Sequence, residues 1–238
     1  MTAGPRGTAI LVHGGWSNPD DWRWVVAALA DHDVAAVAPD LPSHRSPTAT
    51  LRDDAAAVEA ELHAARPPVV LVGWSHGGKV LSEASVPESV VRLVYVAAIP
   101  HVAPTDDDPR PETPLDLAHV LFPDDRTCVL DDDWWLTDGD ATTLPAPVVA
   151  HLWAHRRRPA SLAALTQVPA HEPWQTIPTT VLLGRSDATP ELQAWAQRRF
   201  ADVRIVDSDH FVLFRLPGVI ADIVVEAIEA STPVLPAT

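Results

Sequence analysis

Gly73-Trp74-Ser75-His76-Gly77-Gly78 follows the apolar run Pro68 to Val72 and precedes a segment of helical composition beginning at about His76. A buried strand, a glycine-flanked serine and a helix in direct succession form the G-x-S-x-G pattern of a sharp strand-to-helix turn. Small residues on either side let the chain turn tightly enough to project a serine hydroxyl from the edge of a sheet. There a base can reach the hydroxyl, and the backbone N–H of the next residue can meet a developing oxyanion. A glycine-rich turn without chemistry is the alternative for the motif taken alone. Its position in a strand and helix alternation favours the nucleophile.

Working outward, Thr8 to Val12 reads as a buried strand ending at His13-Gly14-Gly15. Asn18 and Pro19 then open a helix to about Asp31, with Trp22, Val25, Val26 and Leu29 at helical spacing. The alternation continues with strand Val34 to Ala38, helix Thr50 to Ala65, helix His76 to Ala84 and strand Val90 to Ala98. Far downstream come strand Thr180 to Leu183, helix Pro190 to Phe200, strand Val203 to Val206 and helix Pro217 to Ala230. This predicts an α/β fold with a mainly parallel sheet of about six strands flanked by helices. Between Ile99 and Pro178 the alternation gives way to a stretch rich in proline and acid, including Asp106-Asp107-Asp108, Asp131-Asp132-Asp133 and a helical Pro147 to Arg157. A structureless loop of that length is improbable, so a lid of short helices over about residues 101–177, inserted after the fourth strand, is expected within a single domain spanning 1–238.

The chain has 238 residues, enough for a real core, and its formal net charge of −15 disfavours nucleic acid and anionic membrane surfaces. Cys128 is the only cysteine, so no internal disulfide forms, and no Cys/His cluster has zinc spacing. No apolar run reaches the roughly 18 residues of a membrane span. The expectation is a soluble, cytoplasmic protein, monomeric or homodimeric, with a small-molecule substrate and neither metal nor cofactor.

A serine nucleophile needs a base and an acid that orients it, and the chain order Ser, Asp, His is available. Asp187 follows a strand in Gly184-Arg185-Ser186-Asp187, and His210 follows the last strand in Asp207-Ser208-Asp209-His210-Phe211. Ser75, Asp187 and His210 thus lie at the ends of three parallel strands, where such sheets present their sites. Asp187 could instead cap the helix opening at Thr189-Pro190, and His210 could be a surface histidine. Asp207 and Asp209 are rival acids, disfavoured because a near neighbour along the chain seldom reaches round to the imidazole Nδ1–H.

His13-Gly14-Gly15-Trp16, Asp40-Leu41-Pro42-Ser43-His44, Gly73-Trp74-Ser75-His76-Gly77-Gly78, Gly184-Arg185-Ser186-Asp187 and His210-Phe211 together resemble the α/β-hydrolase superfamily. Val94 to Pro100 and Trp174 to Thr179 are similar to its small single-domain serine esterases, the group that includes plant methylesterases and hydroxynitrile lyases. The resemblance implies a catalytic triad of Ser75, His210 and Asp187 at a nucleophile elbow. It also implies an oxyanion hole from the N–H groups of Gly15 and His76, a structural role for His13, and cleavage of a carboxylic ester, lactone or thioester through an acyl-serine. The chain departs from the family at Ser43-His44-Arg45, where Gly-His-Gly is usual. Gly14 and Phe211 stand where the lyases carry threonine and lysine, and a serine at 75 disfavours the aspartate-dependent dehalogenases and epoxide hydrolases.

Trp16 and Trp74 flank the expected site, and Leu121, Phe122, Trp134, Trp135, Trp153 and Trp174 load the expected lid with apolar groups. They suit a small apolar or aromatic substrate, although packing of the lid onto the sheet explains each as well. His151 and His155 lie one helical turn apart but lack a third metal ligand, so they read as surface histidines. Arg156-Arg157-Arg158 reads as a cationic helix C-terminus favoured by the macrodipole rather than a carboxylate clamp. Carbon–carbon hydrolysis, cyclisation or oxygenation by the same triad, and ligand binding with negligible turnover, remain as alternatives.

Overall fold

Val69–Trp74 is buried along its whole length because both faces of its sheet are covered, the reason a central parallel strand reads as a continuous apolar run. The computed structural model describes residues 4–103, 109–111 and 118–231. The first half holds β1 (Thr8–Val12), α1 (Arg23–Ala30), β2 (Ala35–Val37), α2 (Leu51–Ala64), β3 (Val69–Trp74), α3 (His76–Glu83) and β4 (Val90–Val96). An intervening segment carries β5 (Val120–Leu121), β6 (Thr127–Leu130), α4 (Asp132–Thr137), α5 (Ala146–Ala154), β7 (Ala160–Ser161) and α6 (Leu162–Thr166). The chain then adds β8 (Thr179–Gly184), α7 (Pro190–Arg199), β9 (Asp202–Val206), α8 (Val212–Arg215) and α9 (Pro217–Ser231).

The main sheet has six strands in the order β2-β1-β3-β4-β8-β9, every neighbouring pair parallel. Side-chain alternation divides its two faces. Ala9, Leu11, Val70, Val72, Val94 and Val96 pack against α1 and α9, while Ile10, Val12, Val69, Leu71, Leu93 and Tyr95 pack against α2 and α3. The chain leaves β1 toward β2 and returns on the other side to β3, so strand order reverses between β1 and β3. A crevice opens outside their carboxyl ends at such a point, and both the Gly14-Gly15 turn and Ser75 lie there.

Local sequence explains the element ends. Thr50 and Asp53 form a reciprocal capping box at the start of α2, and Thr189 caps α7 through the Leu192 N–H. Asn18 caps a 3-10 turn, Pro19–Trp22, that leads into α1, so one expected helix is a 3-10 turn followed by an α-helix.

The intervening segment differs from the expected set of short helices. It also holds a small antiparallel sheet in the order β5-β6-β7, whose strands are too short to leave a period in the sequence. Asp106-Asp107-Asp108 lie outside the described residues. Trp135, Leu136, Leu144, Val148 and Leu152 join the same buried cluster as the sheet and α9. The three arginines after α5 do not act through a helix dipole, since α5 ends at Ala154. Arg157 makes a bidentate pair with Asp21 at 2.9 and 3.2 Å, both side chains buried. Arg156 meets Asp132 at 2.8 Å, and Arg158 reaches Asp40 at 2.7 Å and the Ser17 carbonyl. His151 is likewise a buried residue rather than a surface one, its Nε2–H donating to Asp21 at 3.0 Å while Nδ1 accepts from Arg23. His155 stacks on it with ring centroids 4.3 Å apart.

No helix of the described residues is long and apolar enough to cross a membrane. Among them, no group of three or more His, Cys, Asp or Glu side chains could hold a metal ion.

Candidate active site

Ser75 sits between β3 and α3 with φ 54° and ψ −117°, a backbone conformation that costs an L-residue on the order of 1–3 kcal/mol. Of the three other non-glycine residues with positive φ, Trp16 at 59° and Ala97 at 46° lie beyond the ends of the flanking strands β1 and β4, and Asp33 at 56° follows α1. Backbone strain is therefore concentrated along the carboxyl edge of three adjacent strands. The glycines of the motif answer to close approach: a Cβ at Gly73 would lie 2.6 Å from the Gly77 carbonyl, and one at Gly77 would meet the carbonyl of Val12. Gly14 has no room either, since a Cβ there would stand 2.9 Å from the Trp74 ring and 3.3 Å from Ser75 Cβ.

Of the three candidate acids, the structure brings Asp187 to His210. Its Oδ1 accepts from Nδ1–H at 2.8 Å, which leaves Nε2 as the basic nitrogen. Asp187 is released from capping because Thr189 performs that role. Asp209 is occupied by Arg215 and by the Phe211 N–H, and Asp207 is exposed. The hydrogen bonds of the described residues include none between Ser75 and His210. Such contacts are often loose in unliganded sites and tighten with substrate. The His210 backbone is fixed by Trp74, whose indole N–H donates to the His210 carbonyl at 2.9 Å.

Gly15 and His76 also come together. A Cβ on Gly15 would lie 3.9 Å from His76 Cβ, and neither backbone N–H donates to a partner among the described residues. His76 opens α3, so its N–H belongs to the positive end of that helix. His13 is wholly buried; its Nδ1–H donates to the Gly14 carbonyl at 2.9 Å and its Nε2 accepts from the Leu41 N–H at 3.3 Å. It thereby fixes the turn that presents Gly15.

The aromatic residues divide. Trp74 is buried against His210, Phe211 and Phe214, so it supports the site from within. Trp16 lies in the strained turn after Gly15, its indole nitrogen buried beside Cys128. Trp135 packs on Phe211 with centroids 5.3 Å apart and carries the Arg157 guanidinium on its face. Trp134 stacks flat on His119, and Trp153 is 45% exposed beneath Arg156. Trp134 and Trp153, expected as substrate contacts, are thus each engaged by a neighbouring side chain. Trp174 packs on Phe200 and donates its indole N–H to the His101 carbonyl at 2.8 Å, and Leu121 and Phe122 are exposed.

Two neighbours of the site escaped the sequence reading. Leu165 of α6 stands 3.5 Å from where a Gly15 Cβ would be, covering the Gly14-Gly15 turn. Asp54, wholly buried, accepts from His76 Nε2–H at 3.1 Å and from the Ser43 N–H at 2.8 Å. Its signal was available, because Asp54 falls on the apolar stripe of α2 with Leu51, Ala55, Val58 and Leu62. His44 completes this buried layer, its ring 4.7 Å from His13 and 6.4 Å from His76. Burial first, then the neighbouring His13 and His76, push the His44 imidazolium far below the ordinary histidine range. Burial also depresses His76, against the opposing pull of Asp54.

Known proteins are similar to this chain in sequence and in shape. A pimeloyl-[acyl-carrier protein] methyl ester esterase of Klebsiella pneumoniae is 36% identical over 108 residues, 43% of this chain and 42% of that protein's length. The chain therefore matches less than half of that relative. Among solved structures, a pyrethroid hydrolase from Sphingobium faniae superposes with a TM-score of 0.73 at 19% identity, over 94% of this chain and 98% of the other. A methylesterase from Arabidopsis superposes with a TM-score of 0.69 at 17% identity, over 94% and 99%. At those identities the structures speak for the fold alone. The sequence profile of the alpha/beta hydrolase family matches residues 9–223, from β1 through the strand ends that carry Ser75, Asp187 and His210 and into α9, and the chain belongs to that family.

Proposed function

We propose that this protein is a serine hydrolase that cleaves a carboxylic ester, lactone or thioester of a small substrate through an acyl-serine intermediate. The observation that carries the reading is the 2.8 Å bond from His210 Nδ1–H to Asp187 at the same sheet edge as the strained Ser75. The similarity to a methyl ester esterase over 108 residues supports the same chemistry.

In this reading His210 Nε2 takes the Ser75 proton as Oγ attacks the ester carbonyl, and Asp187 stabilises the imidazolium that forms. The N–H groups of Gly15 and His76 receive the oxyanion, reinforced by the N-terminus of α3. Collapse expels the alcohol, which leaves with the proton from His210. Water, deprotonated by the same nitrogen, then releases the acid and restores Ser75.

The test needs no knowledge of the natural substrate. Wild type, Ser75→Ala and His210→Ala are treated with a fluorophosphonate probe, adducts are located by mass spectrometry, and short p-nitrophenyl esters are assayed in parallel. The expected result is a single adduct at Ser75, absent from Ser75→Ala and strongly reduced in His210→Ala, with turnover of a short ester by wild type. No adduct on folded wild type overturns the nucleophile assignment and turns attention to ligand binding. Labelling without ester turnover points to the other triad chemistries.

A further inference from the structure

One helical turn beyond Ser75, α3 carries Lys79, the only lysine of the chain, about 6 Å along the helix axis. Lys79 is half-buried, and its ammonium donates to the Leu165 carbonyl at 2.6 Å, the same Leu165 that covers Gly15. It lines a recess of about 190 Å³ together with Ile99, His101, Arg110, Thr166 and Val168. Ile99 and His101 belong to the stretch that leaves β4 beside the elbow, and Thr166 ends α6, so the recess is built from elements that also surround Ser75.

The charge pattern is unusual for this molecule. The chain carries a net −15, and its buried Arg157 is matched by a carboxylate. Among the described residues neither Lys79 nor Arg110 has a carboxylate partner. Glu83, one turn further along α3, turns instead to the Ala170 N–H at 2.8 Å. Burial lowers the pKa of the Lys79 ammonium, as it does for a cation with no counter-ion beside it. One of its three donors is used on Leu165, and the remaining donors, with the guanidinium of Arg110, suit the oxygens of a small anion. The volume fits such a group and falls below that of pockets that enclose a drug-sized ligand, which begin at about 300 Å³.

We propose that this recess is an anion subsite that receives a carboxylate of the substrate, so that the ester cleaved at Ser75 is a half-ester of a dicarboxylic acid or an equivalent ester with a second, ionised end. This deepens the reading of Ser75 as nucleophile and rests on it. Lys79 and Arg110 set specificity through charge, and neither takes part in bond making.

The experiment has two arms. In the first, kcat/KM is measured for p-nitrophenyl half-esters of dicarboxylic acids of increasing chain length, each paired with the methyl-capped neutral diester, using wild type, Lys79→Met, Lys79→Arg and Arg110→Ala. Wild type is expected to favour the ionised member by roughly tenfold or more at one chain length, since hydrogen bonds to charged groups carry that much discrimination. The preference falls to about unity in Lys79→Met, weakens in Arg110→Ala and persists in Lys79→Arg. In the second arm, glutarate and inorganic phosphate are titrated calorimetrically against wild type and Lys79→Met at low ionic strength. Glutarate binding that vanishes in Lys79→Met is expected. Hydrolysis without preference at any length, or phosphate binding more tightly than glutarate, overturns the carboxylate subsite and leaves the esterase reading intact. Glutarate binding that depends on Lys79, with no ester hydrolysed, sustains the subsite and overturns the esterase reading.

Discussion

The indole N–H of Trp74 donates to the carbonyl oxygen of His210 at 2.9 Å, so the residue immediately before Ser75 holds the backbone of the histidine proposed to activate it. Nucleophile and base come from elements far apart in sequence, and this bond fixes one against the other. Trp74→Phe keeps most of the packing and removes the donor, leaving the His210 carbonyl without its partner at a cost of about 1–3 kcal/mol. The expected outcome is a loss of stability of that size in urea, with kcat reduced about tenfold and KM little changed.

Asp187 is separated from its rivals by geometry: it meets His210 Nδ1–H, while Asp209 meets Arg215. Asp187→Asn is expected to lower kcat on the order of 10³–10⁴, because an amide fails to hold the productive tautomer or to balance the imidazolium. Asp209→Asn is expected to lower the melting temperature and to retain fluorophosphonate labelling at Ser75. Steady-state kinetics and adduct mass spectrometry on the two variants check the assignment.

The sequence carried the parallel sheet because most of its strands are apolar runs closed by glycine, proline or aspartate, and α2 and α7 each carry a cap at their start. Ser75, Asp187 and His210 were legible for a related reason, since strand ends in a parallel sheet all face one edge and the three residues follow three such ends. The two-residue strands β5 and β7 left no period to read. Arg157 was misread because a local rule, the helix dipole, was applied, and His151 because no local pattern marks it as buried; in both a partner more than 120 residues away decides the outcome. The partners of Trp134 and Trp153 were not legible because an aromatic residue in an insertion carries no local mark of which side it faces.

That distant partner, Asp21, makes a prediction of its own. Burial alone would raise its carboxyl pKa, but Arg157, His151 and Ser17 together hold it well below the usual carboxylate range. Removing one member leaves the other charge buried without compensation, so Arg157→Met or Asp21→Leu alone is expected to cost about 3–5 kcal/mol. The double variant removes both charges and is expected to recover much of that loss. Urea denaturation of the two single variants and the double checks the non-additivity.

Acid sensitivity should begin in the histidine range rather than the carboxylate range. His44 and His76 have folded-state pKa values below their ordinary value, burial being the main cause in both. His44 faces His13, His76, Arg158 and Asp40; His76 faces Asp54, Lys79 and His13. Above about pH 6.5 both are neutral in the folded and unfolded chain and stability is at its plateau. As pH falls below that value the unfolded chain takes up protons that the folded chain refuses, so stability is lost progressively toward the depressed folded-state values. Each such histidine contributes a slope of about 1.4 kcal/mol per pH unit well below its unfolded pKa. His44 predicts a loss of about 1 kcal/mol between pH 6 and pH 5, and His76 adds to it in the same direction, before paired carboxylates such as Asp21 begin to titrate. His44→Gln, which still offers Ser43 a hydrogen-bond partner but has no proton to gain, is expected to show a clearly shallower slope. Urea unfolding at half-unit intervals from pH 7.5 to 5 measures it, and an unchanged slope in His44→Gln would show that His44 is not one of the groups responsible.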